Sequence, residues 1–318
     1  MPGPRLRVIV DNDFSGDPDD LFQLAHHVLS PSVEIPFVIG SHLAPGDGFD
    51  PSAEQAGNAV RVATELLELI GGAGRIPVLR GSDTALTSPL EPVRSPGAEA
   101  IVAEALRDDT DLPLVVALGG GLTELASALL IEPAIADRLT AVWIGGPEHE
   151  GLAVPPPGAA EIEYNLNIDL AAGISVFNHS RVPLWQVPRD VYRQCLVSQA
   201  ELDLRVRPAG RLGAHLMRAL DRVAGLARDW GGDLGETYVL GDSPLVLLTA
   251  LRSSFEPDTS SSAHVTVPMP RLTPRGTYEP DPHGRPLRVY TRVDTRLVFE
   301  DLYAKLAREQ VLQEKTPK

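Results

Sequence analysis

Five aspartates lie within ten residues near the start of the chain, at positions 11, 13, 17, 19 and 20. The segment 8–60 holds nine acidic residues and no lysine or arginine, so no cation close in sequence balances them. Carboxylates this close together at the end of a buried strand repel one another. A bound hard cation, Ca²⁺ or Mg²⁺, would balance them, and Ca²⁺ tolerates the irregular oxygen geometry of a loop. The alternative is a solvated loop in which Asp19 or Asp20 only caps the following helix.

Two familiar aspartate motifs compete for this segment. The spacing of Asp11, Asp13 and Gly16 begins like a calcium-binding EF-hand loop, but the twelfth position is Phe22, where that loop needs a bidentate glutamate. A strand that ends in Asp-x-Asp also opens the haloacid-dehalogenase type of phosphatase, which needs a downstream lysine to steady the transition state. This option is remote because the chain has only three lysines, all near its end: Lys305, Lys315 and Lys318.

The elements that must position these residues alternate between short apolar runs and longer stretches with helical spacing. Runs that are apolar throughout indicate parallel strands covered on both faces by crossover helices. We therefore expect an α/β fold with a Rossmann-like, mainly parallel sheet and helices on both faces. The predicted strands are Leu6–Val10, Phe37–Ile39, Pro77–Leu79, Leu114–Leu118, Ala141–Ile144 and Leu184–Val187, and the predicted helices are Leu21–Leu29, Ala53–Ile70, Gly97–Leu106, Glu124–Leu130 and Leu212–Leu226.

The end of the chain has a different composition. The segment Glu256–Pro286 is rich in Pro, Ser and Thr, and we predict a small late β excursion there, with strands at Val265–Val267 and Leu287–Val293. A helix over Asp301–Leu312 then closes a single domain, residues 1–312. Residues 313–318 form a polar tail that we expect to be frayed.

Composition excludes several classes of function. The 28 Lys and Arg against 43 Asp and Glu leave a net charge of −15, which repels nucleic acid and anionic membranes. The longest run without a charged residue or a histidine, Leu112–Thr123, is well short of the ~20 residues of a membrane span. One cysteine, Cys195, forms no internal disulfide, and the N-terminus lacks the apolar stretch of a signal peptide. We therefore expect a cytoplasmic protein.

The segment 8–20, VIVDNDFSGDPDD, resembles the opening signature of the inosine-uridine nucleoside hydrolase family. That signature reads Asp-x-Asp, a short turn and then Asp-Asp. Further blocks in the family's order extend the resemblance over about Val8–Leu312: VIG at 38–40, IPVLRG at 76–81, ALGGGLTELA at 117–126, WIGG at 143–146, EYNLNID at 163–169 and GDSPL at 241–245. Each block alone is weak, and the ordered set is fairly specific.

The resemblance implies a calcium site and a sugar site. The side chains of Asp13, Asp20 and Asp242 would bind Ca²⁺ together with the backbone carbonyl of Thr123. Asp13 would also be the general base for the attacking water. Without the resemblance, Thr123 and Asp242 could each be the N-cap of a helix as readily as a metal ligand. The ribose hydroxyls would contact Asp19, Glu163, Asn165 and the metal ligand Asp242. Asp11 would support the loop from behind.

Three departures from the family pattern limit this transfer. Five residues, Phe14–Pro18, separate the two aspartate pairs where the family has three, so Asp17 is an alternative to Asp19 or Asp20. Ser41 stands where an asparagine commonly contacts the sugar or ion region. Gly241 replaces the histidine that protonates the leaving base in part of the family, so another residue must help the base depart. The candidates for that role are His42, His149, Trp143, Trp185 and Trp230.

We therefore predict calcium-dependent hydrolysis of the N-glycosidic bond of a ribonucleoside or nucleoside analogue, releasing base and ribose. The alternative is a catalytically idle homologue that binds ribose or nucleosides in a Ca²⁺-dependent way, or is regulatory. The expected partners are a small-molecule nucleoside and a second or further copies of the chain, as a homodimer or homotetramer.

Overall fold

The computed structural model describes residues 3–71, 73–253, 255 and 260–315. Its strands, in chain order, are β1 Leu6–Asn12, β2 Val33–Glu34, β3 Val38–Gly40, β4 Val78–Arg80, β5 Leu114–Leu118, β6 Leu139–Ile144, β7 Leu184–Val187, β8 Leu196–Ser198, β9 Thr237–Val239, β10 Ala263–Pro268, β11 Arg271–Leu272, β12 Tyr278–Glu279 and β13 Pro286–Arg292. Nine of them form one sheet in the order β10-β13-β7-β6-β5-β1-β3-β4, with β2 paired to β1.

The helices are α1 Asp19–Val28, α2 Gln55–Leu67, α3 Pro96–Ala105, α4 Thr123–Ile131, α5 Tyr164–Ile168, α6 Leu170–Ile174, α7 Arg189–Tyr192, α8 Gln199–Arg205, α9 Gly210–Asp229, α10 Ser243–Thr249 and α11 Thr295–Lys315. Two short 3₁₀ segments, Ala73–Arg75 and Pro133–Asp137, and a π-helical turn, Ser175–His179, complete the set. Within the described residues, no helix combines the length and apolar character needed to cross a membrane.

The centre of the sheet is parallel and buried on both faces. Strand β1 pairs in parallel with β3 and β5, and β5 pairs in parallel with β6. Every residue of β1 and β5 is buried, which explains why these strands read as continuous apolar runs. One apolar cluster covers each face, the first built around α1, α2, α9, α10 and α11 and the second around α3, α4 and α6. The predicted α/β architecture is thus observed.

The parallel register brings the carboxyl ends of several strands to one edge. Asp11 of β1 lies opposite Leu118 of β5 and Ile39 of β3. The segments that leave these strands therefore begin side by side, and they carry the polar residues picked out in the sequence. This edge is where ligand sites of open α/β sheets form.

The late strands differ from the predicted excursion. Strand β13 joins the central sheet in parallel with β7, and β10 adds to β13 in antiparallel pairing. Both strands therefore extend the main sheet at its edge, and only β11 and β12 form a separate hairpin. Residues 256–259, at the start of the segment assigned to the excursion, lie outside the described residues.

The predicted polar tail at 313–318 starts too early. Helix α11 continues to Lys315, three residues beyond the predicted end at Leu312. Gln313 Nε2 donates a hydrogen bond of 2.8 Å to the carbonyl oxygen of Leu69. This tertiary contact extends the helix past its apolar pattern. Residues 316–318 lie outside the described residues.

Candidate active site and metal centre

A cavity of about 360 Å³ opens at the carboxyl edge of the sheet. Its acidic side is formed by the loop after β1, the start of α1 and the residue that precedes α10. The opposite wall is mainly aromatic and apolar. The cavity is lined by Asp13, Asp17, Asp19, Asp20, Phe49, Gly119, Ile144, Tyr164, Asn165, Tyr192, Arg193, Val239, Gly241 and Asp242.

Three carboxylates converge in this cavity. Oxygen atoms of Asp19, Asp20 and Asp242 lie within 4.8 Å of one another, and all three side chains are buried. Asp13 lies beside this group. After burial, its negative charge is the largest cause of the raised pKa of Asp20. A group of oxygen ligands from separate parts of the chain is the type of site that a hard divalent cation occupies.

Helix capping does not account for these aspartates. The N-cap of α1 is Pro18, and neither Asp19 nor Asp20 caps that helix. Asp242 is at the N-cap position of α10, but its carboxylate makes no capping hydrogen bond. Its Oδ2 instead accepts a bond of 2.5 Å from Asn12 Nδ2, and Asp19 Oδ2 accepts one of 3.1 Å from the Asp242 amide. The carboxylates are thus held toward each other.

The electrostatics of the cluster are those of a cation site. Burial, followed by repulsion between neighbouring carboxylates, raises the pKa of Asp13, Asp19 and Asp20 well above the usual range. Burial also raises the pKa of Asp242 to about 7. Asp13 Oδ2 and Asp20 Oδ2 are buried and find no hydrogen-bond partner in the described part of the chain. These orphaned oxygens fit a divalent cation, which would supply both the missing charge and the missing contacts.

Glycines after β5 leave room for the cluster. A Cβ on Gly119 would collide with the Asp242 carboxylate and the Asn12 amide, and one on Gly120 would lie 3.0 Å from Asp13 Cγ. The backbone must therefore pass these side chains closely, which only glycine permits. This close approach explains Gly119 and Gly120, whereas a Cβ on Gly121 would lie 2.7 Å from Ile168 Cγ2.

Thr123 begins helix α4 just beyond this turn. The N-cap of α4 is Leu122, so the capping role considered for Thr123 is not observed. Its hydroxyl donates a bond of 2.7 Å to Asp169 Oδ2 and is 3.0 Å from His42 Nε2. Thr123 does not line the cavity, and its carbonyl as a metal ligand stays a prediction.

Ser41 and His42 lie behind the cavity. Ser41 Oγ donates to Asp11 Oδ1, and burial, then the charge of Glu124, raises the pKa of Asp11 well above its usual range. His42 Nδ1 is 2.8 Å from the carbonyl oxygen of Leu43, so both of its ring nitrogens have protein partners. Neither Ser41 nor His42 is part of the cavity lining, and their contact with a substrate stays a prediction.

Glu163 and Asn165 lie at the start of α5, beside the cavity. Glu163 is fully buried: its Oε2 accepts bonds of 2.7 Å from the Gly146 amide and 3.0 Å from the Leu166 amide, and its Oε1 accepts one of 2.8 Å from Tyr192 Oη. Asn165 lines the cavity. Its Nδ2 donates to two backbone carbonyls, those of Gly119 at 2.7 Å and Ile144 at 2.8 Å, which orients the amide oxygen.

The longer loop separates Asp17 from the converging carboxylates. Asp17 Oδ1 accepts a bond of 2.6 Å from Tyr238 Oη, and the same oxygen is 3.4 Å from the Asp19 amide. Asp17 lines the cavity but is not part of the group formed by Asp19, Asp20 and Asp242. The structure therefore places the adjacent pair, where α1 begins, next to Asp242.

The candidates for helping the leaving group lie elsewhere. His149 stacks on Tyr278 at 4.7 Å, and its Nε2 contacts Gln186 Oε1 at 2.8 Å. Trp143 is fully buried in the core, and Trp185 packs under the guanidinium of Arg288 at 4.1 Å. Trp230 is the exception among the tryptophans, since it is exposed and packs edge-on against Phe49 of the cavity wall at 5.9 Å.

Sequence reasoning missed the aromatic wall of the cavity. Tyr164 lies between the predicted Glu163 and Asn165, and its hydroxyl donates a bond of 2.8 Å to Asp47 Oδ2. Tyr192 and Arg193 follow β7, so their place after a predicted strand was an available signal. Phe49 lies in a long loop after β3, and nothing in the sequence marks it.

Comparisons of the sequence with known proteins identify one family. The profile of the family described as inosine-uridine preferring nucleoside hydrolase matches residues 8–300. An inosine-uridine preferring nucleoside hydrolase from Leishmania major is 37% identical over 107 residues, which is 32% of this chain and 31% of that protein. The aligned part thus spans about a third of that relative's length.

Solved structures share the fold. The inosine-uridine preferring nucleoside hydrolase from Bacillus anthracis has a TM-score of 0.67 at 15% identity, with coverage of 95% of this chain and 99% of that one. The type III effector protein XopQ, complexed with adenosine diphosphate ribose, has a TM-score of 0.64 at 17% identity, with coverage of 98% and 95%. These likenesses confirm the predicted fold. Because the family profile runs from β1 into α11, the chain belongs to the inosine-uridine preferring nucleoside hydrolase family, which confirms the predicted family.

Proposed function

We propose that the chain hydrolyses the N-glycosidic bond of a ribonucleoside or a close analogue and that it does so with Ca²⁺. The observation that carries this proposal is the set of converging, buried carboxylates with unpartnered oxygens at the wall of the cavity. Asp13, Asp20 and Asp242 would hold the ion together with the carbonyl of Thr123. A bound Ca²⁺ would acidify its water and fix the ribose hydroxyls relative to it.

The remaining roles belong to residues of the chain. Asp13 is the proposed general base, because its Oδ2 is unpartnered and available to take a proton from the attacking water. Asp19, Asn165 and Asp242 face the cavity and would bind ribose hydroxyls. Glu163 is proposed to take part in the same grip. Its two oxygens are already engaged with Gly146, Leu166 and Tyr192, so its contribution includes holding Tyr192 in the wall.

Departure of the base takes place on the aromatic side. Gly241 supplies no acid there, and the phenols of Tyr164 and Tyr192 already donate to Asp47 and Glu163. We therefore propose substrates whose base leaves without strong protonation or is stabilised by stacking on this wall. His42 and His149 are held by other contacts, as described above.

Alanine variants of two proposed ligands test the assignment. Asp13→Ala and Asp242→Ala should each lose bound calcium and nearly all turnover, because each removes charge and an oxygen from the cluster. Calcium content is measured by elemental analysis and turnover by release of free ribose from a nucleoside panel. Asp111→Ala is the matched control, since Asp111 is exposed and outside the cavity. If either ligand variant keeps both properties, the assignment is wrong.

The alternative is a homologue that binds a ribosyl ligand without cleaving it. Gly241 in place of the usual acid and the longer loop after Asp13 favour this alternative, and one related fold is described as an effector protein in complex with adenosine diphosphate ribose. Overnight incubation with nucleosides, followed by measurement of free ribose, separates the two functions. Saturable binding of the same nucleosides without any ribose release would support the alternative.

We also propose that the chain works in the cytoplasm as a homodimer or homotetramer. Light scattering on the purified chain tests the assembly, and cell fractionation tests the location. A monomer at micromolar concentration would contradict the proposed assembly.

A further inference from the structure

A groove lined by three arginines lies outside the cavity, between helices α2 and α9. Two adjoining cavities, of about 460 and 470 Å³, make up this groove. They share Arg61 and Val62 of α2 with Ala219 and Arg222 of α9. Val62 and Ala219 therefore give the groove an apolar floor, and the arginines stand at its sides.

The arginines of α9 are spaced to face one ligand. Arg218 and Arg222 are four residues apart on the helix, so both side chains lie on the same face. His215 is three residues before Arg218 and lines the same part of the groove. The groove is also lined by four carboxylates, those of Asp50, Glu65, Asp221 and Asp229, so an anion site here depends on the individual arginines and not on the overall charge of the groove.

Acidic neighbours do not neutralise these two arginines. Arg61 is paired with Glu65 at 3.1 Å, and the acidic residue between the two arginines, Asp221, is paired with Arg207 at 3.2 Å. In the described part of the chain, neither Arg218 nor Arg222 has an ion-pair or hydrogen-bond partner for its guanidinium. Each unpaired guanidinium group is a planar set of donors that matches phosphate oxygens, and the two groups project from the same face of α9.

His215 supplies a second observation. Its Nε2 is buried and has no hydrogen-bond partner among the described residues. A buried polar atom without a partner costs free energy, unless a ligand or water completes its bonding. The cost indicates that a polar group enters the groove beside Arg218, and the arginines favour an anionic one.

We propose that this groove binds a phosphate group, held by the guanidinium groups of Arg218 and Arg222 and by His215 Nε2. The phosphate is either a free anion or the phosphate of a nucleotide. A nucleotide is a possible source because one cavity of the groove is also lined by Phe49, which lines the candidate active-site cavity as well. The inference does not rest on the proposed hydrolytic activity.

Binding of inorganic phosphate to the full chain, measured by isothermal titration calorimetry, tests the proposal. The double variant Arg218→Ala/Arg222→Ala should weaken binding at least about tenfold, since it removes both charged donors to the phosphate. The double variant Arg271→Ala/Arg275→Ala is the matched control, because it removes the same charge from two exposed arginines elsewhere. Its affinity for phosphate should stay within about twofold of the native chain.

Two results would overturn the proposal. The first is a native chain that shows no saturable phosphate binding. The second is equal weakening in both double variants, which would reduce the effect to net charge. A parallel titration with adenosine 5′-monophosphate distinguishes the sources. Equal affinity for both ligands assigns the groove to free phosphate, and clearly tighter binding of the nucleotide, lost in Arg218→Ala/Arg222→Ala, assigns it to a nucleotide phosphate.

Discussion

Removing the metal should make the stability of the fold fall as the pH rises. Burial raises the pKa of Asp242 from 3.8 to about 7. Between these two values the folded chain binds more protons at this site than the unfolded chain does, so the free energy of unfolding decreases with increasing pH. The stabilisation that comes from protonated Asp242 is complete below about pH 4 and is lost as the pH rises past 7.

The size of the effect follows from that shift. One pKa unit corresponds to about 1.4 kcal/mol, so Asp242 alone should lower the free energy of unfolding by about 2–3 kcal/mol between pH 5 and pH 8. A buried histidine acts in the opposite direction. Burial lowers the pKa of His27 from 6.5 to about 3, so its contribution increases as the pH rises to 6.5. The effect of Asp242 must therefore be measured as a difference between two proteins that share His27.

The assay is denaturant unfolding in EDTA at pH 5, 6, 7 and 8, for the native chain and for Asp242→Asn. The difference in free energy of unfolding, native minus variant, should decrease by about 2–3 kcal/mol over this range. Adding Ca²⁺ at 100 times its dissociation constant at pH 8 should restore about 2.7 kcal/mol to the native chain and much less to the variant. A difference that is constant with pH, or equal rescue of both proteins by Ca²⁺, would refute the reasoning.

Three further predictions concern glycines and the cavity wall. Gly119→Ala should abolish calcium binding, measured by elemental analysis, whereas Gly74→Ala, whose Cβ meets open space, should leave it unchanged. Gly225→Ala should raise the free energy of unfolding by about 0.5–1 kcal/mol in urea titrations, because its Cβ meets nothing and alanine favours the helix; a destabilised variant would contradict this. Tyr192→Phe removes the hydrogen bond to Glu163 and should raise the KM of a cleaved nucleoside about two- to tenfold with a smaller change in kcat; an unchanged KM would exclude the role of Tyr192.

The sequence was sufficient to predict the central strands. Strands β5 and β7 begin and end at the predicted residues, because each is a short apolar run with strongly polar or proline-containing flanks. Helix α1 begins at Asp19, two residues before the predicted start at Leu21, so the adjacent aspartates lie in the first turn of the helix and the acidic loop ends at Pro18. Local sequence patterns were sufficient where the structure of a segment depends mainly on its own residues.

Contacts between distant segments were harder to predict. The bond from Tyr164 to Asp47 joins residues 117 positions apart, and no local pattern encodes it. The parallel pairing of β13 with β7 likewise depends on where the chain returns, so the late strands were assigned to an excursion. Ser41 and His42 follow β3 as predicted, but their side-chain directions depend on packing against β1 and α4.

The absence of lysine and arginine from residues 8–60 and the row of glycines after β5 would both favour a metal ion at the carboxylates of the cavity. A cation close to Asp13 or Asp20 would form a salt bridge, and a metal ion would then have to displace it. At the opposite end of β1, Arg7 is buried and bonded to Glu104 at 2.5 Å, so the fold does accommodate buried ion pairs away from the cavity. At the carboxyl end it leaves carboxylates without such a partner. Leaving them unpaired costs stability in the metal-free chain, and relief of that cost would contribute to the free energy with which a divalent ion binds.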